Sequence, residues 1–329
     1  MSQSHSYLTQ ARYVHDRVTE LVRKPNADHG VDVAKCQLLM AGMLVEVITG
    51  PEEDEPPEAL LQSSFSRLAG KLGCGWPSWH MLAVEGEPEP QWPQIDTEGE
   101  KGRALAAEIM MLLGLESAEM REIVLSLIAS TMTSWEQEGW PRAETFAHFA
   151  HCAAASLAFD RVADKMNDYV IEEPLDKGGW RIAEAVSGLA GLAGSWLAQS
   201  HLQAKRPLNE SWLAFDQTSA VMMSEAVRLG VPAGSDWRRG VPANDEGGGA
   251  PLGLTAELCA PLQEFAEPWY IFDDCPAAMA VAASKAAGRF LAVVCAAEEV
   301  DPHIPPAIAK SLALGAMDAC FKSLLRRGL

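Results

Sequence analysis

Glu144, His148 and His151 fall on one face of a helix expected to begin at Pro141. At ~100° per residue the three share a sector of ~60°, with Cys152 at its rim. A carboxylate and two imidazoles on one face are donors that a transition metal takes. A helical metal site completes its shell from facing helices, usually through a further Glu-x-x-His. No second Glu-x-x-His or His-x-x-His occurs in the chain. The same residues also have a purely structural use. Glu144 in a first turn suits the positive end of the helix dipole. His148 and His151 extend the stripe of Ala155, Phe159, Val162 and Met166, as hydrogen-bonded core histidines would. No bound metal and no other cofactor is therefore expected.

A second set is acidic. Asp160, Asp164 and Asp168 recur every four residues, Asn167 shares their face, and Asp273-Asp274 follows Trp269, Tyr270, Ile271 and Phe272. Two Asp-rich faces of this kind resemble the motifs through which helical isoprenoid synthases hold magnesium–diphosphate. The resemblance covers these residues alone and implies a magnesium-dependent enzyme. The chain departs from it after Asp274, where Cys275-Pro276 stands in place of a further spaced acid, and no evident Lys/Arg set awaits a diphosphate. Without that function, the first three acids are a solvated helix face, and Asp273 or Asp274 caps a helix starting at Pro276.

Other chemistry is missing. There is no P-loop, no glycine fingerprint after a strand, no Gly-x-Ser-x-Gly and no His-Glu-x-x-His. Seven cysteines without a Cys-x-x-Cys pair argue against a disulfide framework or zinc knuckle.

The elements that would position these residues read as helices throughout. Apolar residues at helical spacing, with Gly and Pro stops, predict helices near 6–23, 31–48, 57–72, 101–114, 117–138, 141–171, 179–205, 209–229, 254–266, 275–299 and 304–327. The fold class expected is all-α: a multi-helix bundle or stacked helical hairpins, with a C-terminal helical subdomain. Five segments follow from the punctuation: an N-terminal helical segment 1–72, a Trp/Pro-rich acidic loop 73–100, a central helical domain 101–230, a Gly/Pro-rich linker 231–253 expected to be exposed and mobile, and a C-terminal helical segment 254–329. Gly75-Trp76-Pro77 and Gly139-Trp140-Pro141 stand 64 residues apart, a recurrence that suits either a repeat or repeated use of good turn chemistry. Gly188, Gly191 and Gly194 lie within one predicted helix. Each costs ~1 kcal/mol against Ala, which a close backbone contact would offset.

Composition narrows the function. The net charge is −19, densest in the first hundred residues, where 16 acids stand against 7 bases. Such a field repels phosphate backbones and anionic lipid, so nucleic-acid and membrane binding are disfavoured. The first ten residues are polar, 185–199 is shorter than the ~20 residues a bilayer span needs, and 277–297 is broken by Lys285 and Arg289. A cytoplasmic location is expected. The leading expectation is a non-enzymatic protein that binds another, basic protein: an adaptor, inhibitor, immunity-type or accessory subunit. A homo-oligomer is compatible with it. The acids Glu52, Glu53, Asp54 and Glu55 would steer the partner, and Trp76, Trp79 and Trp92 would anchor it. The rival is a helical metal-dependent enzyme built on either site above.

Overall fold

The computed structural model describes residues 2–22, 32–50, 55–74, 92–175, 177, 179–205, 207–233, 251–296 and 304–328. Of these, 87% are helical and none lies in a strand. The eleven α-helices among them are α1 (Ser2–Val22), α2 (Val33–Ile48), α3 (Pro57–Leu72), α4 (Trp92–Leu113), α5 (Ser117–Gln137), α6 (Arg142–Val170), α7 (Ile182–Ala204), α8 (Leu208–Arg228), α9 (Pro251–Ala266), α10 (Pro276–Cys295) and α11 (Pro306–Gly328). The protein is an all-α multi-helix bundle.

Local chemistry sets the helix ends. Asp32 caps α2 by accepting from the Lys35 amide at 3.1 Å. Pro57 opens α3, where a missing N–H costs nothing. Glu116 and Glu119 form a capping box at the start of α5. Gly139, at φ 96°, closes α5, and the Trp140 amide then reaches back to the Trp135 carbonyl at 3.0 Å. α3, by contrast, is closed by Gly73 at φ 65°, so Gly75 is not its terminator. Gly75-Trp76-Pro77 itself falls outside the described residues.

The chain divides into two compact units, residues 1–157 and 158–329, and the boundary falls inside α6. In the first unit α2 is the central helix: every residue from Cys36 to Val45 is buried, as are Val47 and Ile48. α4 lies directly on it. A methyl group at Gly42 would sit 1.9 Å from the Gly99 carbonyl oxygen, and one at Gly102 would sit 2.0 Å from that of Leu39. α3 sets Phe65 edge-on against Phe146 and Phe149 of α6, with ring centroids 6.4 and 6.3 Å apart.

In the second unit the same role falls to α7, buried continuously from Ala185 to Gly194. Its most extensive partner is α11, more than a hundred residues away in sequence, followed by α10 and α9. Stacked hairpins would pack neighbour on neighbour; here a bundle closes round a central helix. The glycine-spaced helix is a close contact, as its spacing predicts. A methyl at Gly194 would meet the Met317 carbonyl oxygen at 2.2 Å. α10 packs on α7 and α8, with Gly288 against the Met222 carbonyl. The helices flanking the Gly/Pro-rich 231–253 segment, α8 and α9, belong to this one unit. Residues 234–250 of that segment lie outside the described residues.

Three helices begin three or more residues earlier than predicted. α1 starts at Ser2, α9 starts at Pro251, and α4 starts at Trp92, so 92–100 is helix and not loop. The reason is visible in what α4 buries: Trp92, Ile95, Asp96, Gly99, Gly102 and Arg103 recur at helical spacing. In the sequence, charged residues and glycines at these positions carry no apolar signal of burial. In the fold, the glycines are what lets α2 approach.

Candidate functional site

The Glu144 face lies on α6 in the first unit. Glu144 is exposed, while His148 and His151 are half-buried. Cys152 Sγ stands 3.8 Å from His148 Nδ1, and the His151 ring packs on Trp92 with centroids 5.4 Å apart. Burial, and then the neighbouring His148, push His151 down to about 4, so it is neutral at pH 7. Among the described residues, no three His, Cys, Asp or Glu side chains gather where they could share a metal ion.

The Asp face lies in the second unit and meets cations. Asp160, buried, accepts from Lys285 Nζ at 2.9 Å, and Lys285 is fully buried. Arg289 pairs with Asp160 and Asp164, donates to the Asp160 backbone carbonyl at 3.1 Å, and reaches Glu225 at 2.6 Å. Glu225 also accepts two bonds from Arg228, at 2.8 and 2.9 Å. Asn167 ties the same two helices together by donating to the Ala163 and Ala286 carbonyls. Three carboxylates and three cations thus cancel. Burial opposes the charge on Glu225, but Arg228, Lys285 and Arg289 outweigh it and hold its pKa at about 2. Burial likewise opposes Arg289, and Asp160, Glu225 and Asp164 raise it nonetheless. A magnesium ion at Asp160 would have to displace Lys285 and Arg289. Asp168 is exposed.

Lys285 and Arg289 are the residues that sequence reasoning passed over, noting them only as interruptions of an apolar stretch. The available signal was their spacing. Two cations four apart in an otherwise Ala-rich helix match two acids four apart on another. α10 is the one described helix long and apolar enough to cross a membrane, and 83% of its span is buried within the protein.

Asp273 and Asp274 stand elsewhere, on the rim of a pocket of ≈ 330 Å³ where the end of α9 and the start of α10 meet α7. Its floor is the buried Trp196, Phe272 and Met279, and Glu267 is the third acid on its rim. Neither aspartate caps α10. The N-cap is Cys275, with no side-chain cap bond. Asp274 instead turns the chain at φ 48°, the left-handed region.

Of the residues expected to meet a partner, Glu52, Glu53, Asp54, Trp76 and Trp79 lie outside the described residues. Glu55 is exposed. Trp92 is not on a loop surface but is the first residue of α4, 4% exposed, because it fills the space over His151. All seven cysteines are free.

Comparisons with protein-family models, with curated proteins and with solved structures return no match.

Proposed function

We propose that this chain works without catalysis, by binding another protein of basic charge, as an adaptor, inhibitor, immunity-type factor or accessory subunit in the cytoplasm. The supporting observation is the charge balance of the interior. Among the described residues, the buried acids are Asp96, Asp160 and Glu225, and the buried lysines and arginines are Arg103, Lys285 and Lys310. They cancel, so the excess of −19 is not consumed inside the bundle. A field of that sign raises the encounter rate with a basic surface and disfavours nucleic acid.

The test begins with in-cell crosslinking and mass spectrometry in the native host, followed by kinetics on the purified pair. Association slows as NaCl rises, because the Debye length shrinks from ~30 Å at 0.01 M to ~10 Å at 0.1 M. Replacing Glu52, Glu53, Asp54 and Glu55 with neutral amides slows association, and Trp79→Ala speeds dissociation. Rates that ignore both salt and these substitutions would remove the acidic segment from the interface.

A further inference from the structure

No further inference is drawn: the strongest candidate, the surface patch of exposed Tyr13 and Leu21 on α1 and Met111 and Leu112 on α4 about the Arg17–Glu108 ion pair, is an unpartnered apolar face, and nothing in the structure shows what covers it.

Discussion

Single buried charges set how this protein responds to acid. An imidazole in the unfolded chain titrates near 6.5, whereas His151 in the fold sits at about 4. Between those values only the unfolded state takes the proton. His151's contribution to stability is therefore intact above pH 6.5 and is lost progressively as pH falls toward 4. Glu225 acts in a lower window. Its pKa falls from 4.5 to about 2 on folding, so its contribution is present above pH 4.5 and is lost toward pH 2. Urea midpoints measured from pH 7 to 2 should show both declines, with His151→Gln flattening the upper window and Glu225→Gln the lower. A decline that survives both substitutions would assign the acid sensitivity to other groups. The buried Lys285–Asp160 pair carries its own expectation. Lys285→Met removes one of two cations from a buried carboxylate, which costs about 3–5 kcal/mol, and adding Asp160→Asn recovers part of that loss. Strictly additive losses in the double variant would mean that the pair is not coupled.

At the scale of helices, closeness of backbone contact decides which glycines matter. Gly194 abuts the Met317 carbonyl, so a methyl there must push α7 from α11. Gly194→Ala is expected to cost about 1–3 kcal/mol, the usual range for overpacking. Gly70, on the exposed face of α3, has open space where its methyl would go. Gly70→Ala should therefore stabilise by about 0.5–1 kcal/mol, through backbone entropy alone. Urea unfolding of the two variants gives shifts of opposite sign. Equal effects would show that helix propensity, and not the α7–α11 contact, governs position 194.

For the molecule as a whole, the net charge of −19 and the neutral interior make opposite demands on salt. Screening relieves repulsion among the outward acids but scarcely touches the Asp160–Lys285–Arg289 network, which is buried. Raising NaCl from 0.01 to 0.15 M should therefore raise the Tm at pH 7. A fall would mean that exposed pairs such as Arg67–Glu122 contribute more than the repulsion costs. The far-ultraviolet circular dichroism should be that of a helical protein throughout, and a strand-dominated spectrum would contradict the fold.

Helix positions were legible in the sequence because their causes are local. Asp32 caps, Pro57 opens, and Gly114, Gly139 and Gly230 all end helices in left-handed conformations; each of these signals spans a few residues. The Gly188–Gly194 spacing also announced a close contact, since glycines in a helix interior need a compensating neighbour. The sequence by itself therefore determined the all-α class, most helix boundaries and the acidic excess. It misjudged the start of α4 because residues there are buried by other helices, Gly99 against Gly42 of α2 and Arg103 against Ser156 of α6, and not by their own neighbours. What Asp160 and Asp164 do was decided by tertiary structure alone. On α6 they read as a solvated helix face, with a metal face as the alternative, until α10 set Lys285 and Arg289 against them. The pocket of Trp196, Glu267 and Asp273 draws on residues up to 83 positions apart, from Trp196 to Met279, and no local signal joins them. Capping and periodicity act through bonds within one turn. Charge pairing and concavity depend on which helix faces which, and only packing of the whole chain settles that.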